Sequence, residues 1–159
     1  MIVVSNTSPI TNLAGISFLD ILRQLYDTIY IPSAVFYEIS NYKQPGVNEI
    51  KSSDWIVHKN ITNKALAMSL ENDLDKGESE AITLALDLKA DLLIIDERAG
   101  RFAASQLGLN ISGILGILLD AKNHNVIPQI KPFLDNLIVK SGFWIRNDLY
   151  NRILKAAKE

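Results

Sequence analysis

The chain has 159 residues, a size suited to one compact domain of about 100–150 residues or slightly more, and residues 1–159 are expected to form one. With 48% hydrophobic and 21% charged residues it is too apolar to stay disordered, and with no cysteine it excludes disulfides, thiolate zinc sites and cysteine nucleophiles. A formal charge of −2 argues against a general basic surface for gripping nucleic acid, so any such binding must be local.

Ile2-Val3-Val4 is a β-branched apolar run without alternation, the pattern of a strand buried on both faces. After it, Ser8 is placed to cap a helix whose first position is Pro9. Phe18 to Leu25 has helical spacing, Thr28 to Ile31 reads as a second strand closed by Pro32, and Ser33 to Ser40 as a helix with Val35 and Ile39 on one face. Tyr42 to Asn48, with Pro45-Gly46, is the expected flexible excursion. Trp55 to Val57 suggests a short strand and Lys64 to Leu74 a helix.

Glu78 to Lys89 is a firmer helix, since Ala81, Ile82, Ala85 and Leu86 recur on one stripe. Leu92 to Ile95 follows as a central strand, then a helix over Arg98 to Leu107 and a strand over Leu109 to Ser112. Helices over Ile114 to Lys122, Ile130 to Lys140 and Asp148 to Lys158 complete the chain. Strands alternating with helices favour parallel βαβ units covered on both faces. The start of the chain lacks a signal-peptide pattern and no apolar run reaches membrane-spanning length, which points to a cytoplasmic protein without membrane attachment.

In an open parallel sheet, functional residues gather beyond the carboxyl ends of the strands. Asn6 and Asp96 hold that position by reading alone, one after each of two strands that would have to be neighbours. Glu78 begins the helix that precedes the Asp96 strand, which assigns it to a different sheet edge unless the loops fold back. It shares a face with Ile82 and Ala85, so it points toward the body of the protein. Structural readings stand beside these. Asp75 and Glu78 have capping-box spacing, Asp96 could cap the next helix, Asn6 suits a turn, and Glu80 and Glu38 fall on faces expected to be solvated. Positive charge gathers at Arg98, Arg101, Lys122, Lys131, Arg146 and Arg152, mostly in the C-terminal half. His58 and His124 lack zinc spacing, and neither a glycine-rich phosphate loop nor a serine-hydrolase elbow is present.

Four segments in order, Ile2 to Pro9, Tyr30-Ile31-Pro32 with Glu38, Gly77 to Ile82, and Asp91 to Asp96-Glu97, together resemble a PIN domain across nearly the whole chain. Within that superfamily, which includes VapC-like toxins, the chain is most similar to the branch described as predicted nucleic-acid-binding proteins. The resemblance implies an α/β fold, a three-layer α/β/α sandwich with a central, mainly parallel sheet, and Mg2+- or Mn2+-dependent ribonuclease activity. It assigns Glu38, Glu78 and Asp96 as catalytic, with Asn6 joining them as metal ligands, and Ser8 and Glu97 as accessory residues; Arg98 or Arg101 could then contact a substrate phosphate, or equally be exposed helix residues. Asn6 stands where an aspartate is expected, which implies a weaker site and leaves open a binding or regulatory protein of low catalytic power. RNA rather than DNA, an antitoxin protein and a second copy of the chain are the partners implied.

Overall fold

A computed structural model describes residues 1–159. Five parallel strands form one sheet in the order β3-β2-β1-β4-β5, with β1 Val3–Ser5, β2 Ile29–Pro32, β3 Ile56–Lys59, β4 Leu92–Ile94 and β5 Ile111–Ser112. The chain builds outward from β1 in one direction through β2 and β3, then returns to the other side of β1 with β4. That reversal makes a topological switch point between β1 and β4, where open α/β sheets form their crevice.

Both cores follow from the alternation of side chains along the strands. Val3 and Ile94 face a large apolar cluster, while Val4, Leu93 and Ile95 face a smaller one on the opposite side. The large core is filled from α1 Thr7–Gly15, α2 Asp20–Tyr26, α3 Ser33–Asn41, α4 Val47–Ser52, α8 Ile114–Asn123, α9 Lys131–Lys140 and α10 Asn147–Ala156. The small one is filled chiefly from α6 Lys76–Asp87 and α7 Arg98–Gln106, with α5 Lys64–Leu70 at its margin. The result is the expected α/β/α sandwich with a sheet buried on both faces. Each fully buried Ile or Leu contributes about 1.5–3 kcal/mol through removal of its surface from water.

Two local expectations are corrected. The Tyr42 to Asn48 excursion is short and leads into α4, whose N-cap Gly46 adopts φ +96°, a conformation open to glycine at no steric cost. The first helix begins at Thr7 with Asn6 as N-cap, so Ser8 lies inside the first turn and does not cap it. Among the C-terminal apolar residues, Leu134 and Leu137 are buried in the core and Phe133 stacks on Phe18 at 4.4 Å. No helix is long and apolar enough to cross a membrane.

Candidate active site

β1 and β4 pair in register, Ser5 opposite Ile94, so the residues leaving their carboxyl ends emerge together. The Asn6 N–H donates to the Ile94 carbonyl at 2.9 Å, which fixes Asn6 against the start of the Asp96-Glu97 segment. Asn6 is only 3% exposed and spends no side-chain bond on capping α1. Its Nδ2 donates to Glu97 Oε2 at 3.2 Å, the orientation a carboxylate demands because it only accepts. Ser8 Oγ donates to the other oxygen, Glu97 Oε1, at 2.5 Å. Two residues of the first helical turn thus hold Glu97.

Glu78 reaches the same edge, contrary to the expectation drawn from sequence order. In a parallel sheet the crossover helix runs antiparallel to the strands, so its N-terminus lies at the carboxyl edge and its C-terminus returns to the amino edge. Asp75 caps α6, its Oδ1 accepting from the Glu78 N–H at 2.7 Å. The Glu78 carboxyl is a separate matter: it is 7% exposed, and its carbon lies 3.7 Å from where a Cβ on Gly100 would stand. Burial first, then the charges of Asp75 and Glu97, push its pKa up to about 7. The capping and the inward-pointing readings of this segment are therefore both realised, by two different carboxylates.

Glu38 was assigned by its helical face to solvent, but it is half-buried and accepts from Thr7 Oγ1 at 2.9 Å. A Cβ on Gly77 would stand 3.0 Å from Glu38 Oε2 and 3.5 Å from both Asn6 Oδ1 and Asp75 Oδ1. Gly77 is the bare floor on which those three side chains meet. Thr7, Asp75 and Gly77 were not singled out as site residues. Their position beside Asn6 and Glu78 in the sequence was the available signal, and it carries no distance. Glu80 is also corrected: its Oε1 accepts from the Ala34 N–H at 3.0 Å, tying α6 to the start of α3.

Asp96 caps a helix, though not the one that follows it. Its Oδ1 accepts from the Ile114 N–H at 2.9 Å at the start of α8, while Glu97 occupies the N-cap of α7. Asp96 Oδ2 is buried with no hydrogen-bond partner. Burial raises the Asp96 pKa to about 6; the Ile114 N–H and Arg101 oppose that rise and Glu97 adds to it. Arg101 donates from Nη1 to the Ile95 carbonyl at 2.9 Å, whereas Arg98 is exposed.

The edge therefore gathers Asn6, Ser8, Glu78 and Asp96 around Glu97, with Glu38 joined through Thr7 and the Gly77 floor. Glu38 lines one cleft with Asp75 and Gly77, Asp96 lines another with Ser8 and Glu97, and no three His, Asp or Glu side chains stand ready to chelate one ion. The donor set nevertheless suits a divalent cation, being made of hard oxygens. A buried carboxylate oxygen without a partner, and two carboxyls whose pKa values are raised, are features that an added positive charge relieves.

The sheet order and the acidic residues at its switch point make an α/β/α fold with a polar crevice between β1 and β4. The DUF3368 family model, described as a PIN domain, matches residues 2–159, and the chain belongs to the PIN-domain family. Among solved structures it is similar to a PilT N-terminus domain protein from the hyperthermophilic archaeon Sulfolobus solfataricus, with a TM-score of 0.54 at 20% identity, covering 74% of this chain and 90% of that one. At that identity the likeness establishes the fold. No curated protein matches the chain. PIN domains are in general dependent on divalent metal.

Proposed function

We propose that this PIN-domain protein is a Mg2+- or Mn2+-dependent endoribonuclease acting at the β1/β4 crevice, and that it serves as the toxin of a toxin-antitoxin pair. The observation that carries the enzymatic reading is the concentration of acid groups at this edge: Asp96 Oδ2 is buried without a partner beside Glu97, and Glu97 also lies near Glu78. The cap on α8 accounts for only one Asp96 oxygen, and buried carboxylates that repel one another disfavour the compact state. Asp96, Glu78 and Glu38 would hold the cation, with the Asn6 amide oxygen as a neutral donor. Once bound, the cation supplies a lowered pKa for attacking water and charge stabilisation on the phosphodiester.

The chain's own residues do the positioning. Asn6 and Ser8 fix both oxygens of Glu97, leaving that carboxylate oriented by two donors rather than free to swing. Arg101, anchored on the Ile95 carbonyl, stands at the edge of the cleft where a phosphate oxygen would arrive. An antitoxin segment would fit the same cleft by presenting a basic side chain to the cluster. The test is incubation of purified protein with single-stranded RNA in Mg2+ or Mn2+, with a chelator control. Cleavage that the chelator abolishes is expected, and absence of cleavage in both metals would overturn the enzymatic reading.

A second reading, a binding or regulatory PIN protein of low catalytic power, is favoured by one observation. Asn6 brings no charge, and its amide already neutralises part of Glu97. RNA binding without metal-dependent cleavage is the outcome that selects it.

A further inference from the structure

Beside Asp96 the acidic cleft opens into a second cavity of about 570 Å3, between the β5–α8 junction and the segment that joins α9 to α10. We propose that this cavity receives an unpaired nucleobase of a single-stranded RNA, stacked on the indole of Trp144, while the neighbouring phosphate lies at the acidic cluster. The proposal rests on the ribonuclease reading and adds a binding subsite to it.

Continuity is the first argument. Asp96, Phe143 and Trp144 line the cavity and also a smaller cleft of about 270 Å3 that includes Ser8 and Glu97. Trp144 therefore borders both spaces and shares their lining with Asp96. The volume lies within the range of small-molecule sites, about 300–1,000 Å3. Its walls match a base in kind: Ile111, Leu115, Ile145 and Leu149 offer apolar faces, while Ser112 and Arg101 offer polar groups for its edge. Gly113 keeps this floor open, since a Cβ there would stand 2.4 Å from Asp96 Oδ1.

Exposure is the second argument. Trp144 is 79% exposed, whereas Trp55, the other tryptophan, is 9% exposed and part of the core. The indole thus presents most of its surface to solvent at the mouth of a cavity, where a flat aromatic partner fits an offset stack.

Charge is the third. Affinity for nucleic acid ordinarily comes from phosphate contacts. Here the net charge is −2, and Arg101, the one Lys or Arg lining the cavity, already donates to the Ile95 carbonyl. Base stacking, which works with any base and needs no positive surface, fills that deficit. It also selects single strands, because the bases of a duplex are already stacked on one another.

The experiment titrates a short labelled single-stranded oligoribonucleotide into the full chain in Ca2+, a hard cation for oxygen ligands, while following anisotropy and tryptophan emission. Cleavage in Mg2+ or Mn2+ is measured alongside. Binding should quench the exposed indole. Trp144→Ala should weaken binding about tenfold, with an unchanged melting temperature, and Trp144→Phe should recover most of the loss. Duplex RNA of the same length should bind more weakly and be indifferent to either variant. If wild type and Trp144→Ala bind and cleave the single strand equally, the subsite is overturned and the ribonuclease reading survives; the indole then belongs to a protein contact. If the wild type neither binds nor cleaves the strand, the ribonuclease reading falls and the subsite with it.

Discussion

Carboxylates are arranged in opposite ways in two regions of this molecule. Among the C-terminal helices Asp135, Asp148 and Glu159 are each matched. Lys131 and Tyr150 donate to Asp135 and hold its pKa down, and Arg146 does the same for Asp148 through two bonds. Burial pushes Glu159 up, but the Ile130 N–H and Lys122 outweigh it and bring its pKa below the ordinary value. At the sheet's carboxyl edge, Glu78 and Asp96 are pushed up to about 7 and about 6 by burial and by acidic neighbours. One set is neutralised by the fold. The other is concentrated by it and left for something else to neutralise, which is the signature of a site rather than of a scaffold.

The largest expected effect separates the two sets by activity. Asp96→Asn keeps an oxygen to cap α8 yet removes the buried charge, so metal-dependent RNA cleavage should fall by about a hundredfold or more while the fold persists. A gel-based cleavage rate checks this, with circular dichroism to confirm folding; an unchanged rate would remove Asp96 from the chemistry.

Metal and pH give the next contrast. For carboxylates whose folded pKa is raised, the folded state binds more protons, so without metal stability should decline as pH rises from about 4 through about 7, by at most about 1.4 kcal/mol per pH unit for each proton. Saturating Mg2+ or Mn2+ should reverse that decline, adding about 2.7 kcal/mol at a hundredfold excess over the Kd, with the gain growing from pH 5 to pH 8. Melting curves across that range, with wild type and Glu78→Gln, test it: the variant should show a shallower pH dependence without metal. A metal response independent of pH would break the link between the raised pKa values and the ion.

Asn6→Asp sharpens the comparison from within the cleft. It replaces the donor to Glu97 by another acid, so without metal it should cost about 1.5 kcal/mol for the lost charge-assisted bond. With metal the added charge should recover that stability and raise the cleavage rate. A variant as stable as wild type without metal, and no faster with it, would make Asn6 a turn residue alone.

The smallest effect belongs to the matched set. Lys131→Ala removes an exposed pair with Asp135 and should lower stability only slightly, without changing cleavage. Urea denaturation and the same cleavage assay measure both. Loss of activity would mean that the C-terminal helices take part in the site through more than Trp144.

Local pattern was sufficient for much of the fold. Apolar runs at Val3, Ile29 and Leu93 and the stripe of Ala81, Ile82 and Ala85 identify strands and a helix, because burial on two faces or one leaves distinct periods in a sequence. The position of Asn6 and Asp96 just past two strands was equally legible, while the PIN resemblance rather than periodicity singled out Glu38. What no local pattern contains is which strands are neighbours. Pairing of β1 with β4 brought Asn6 against Glu97, and the antiparallel run of α6 delivered Glu78 to the edge that sequence order denied it. The same closure turned Asp96 from the cap of α7 into the cap of α8 and left its second oxygen without a partner. It also set Trp144 beside that carboxylate, from a segment 48 residues further along the chain. Secondary structure and burial follow from interactions over a few residues, whereas charge repulsion, orphaned polar atoms and shared cavities exist only once distant segments have been packed together.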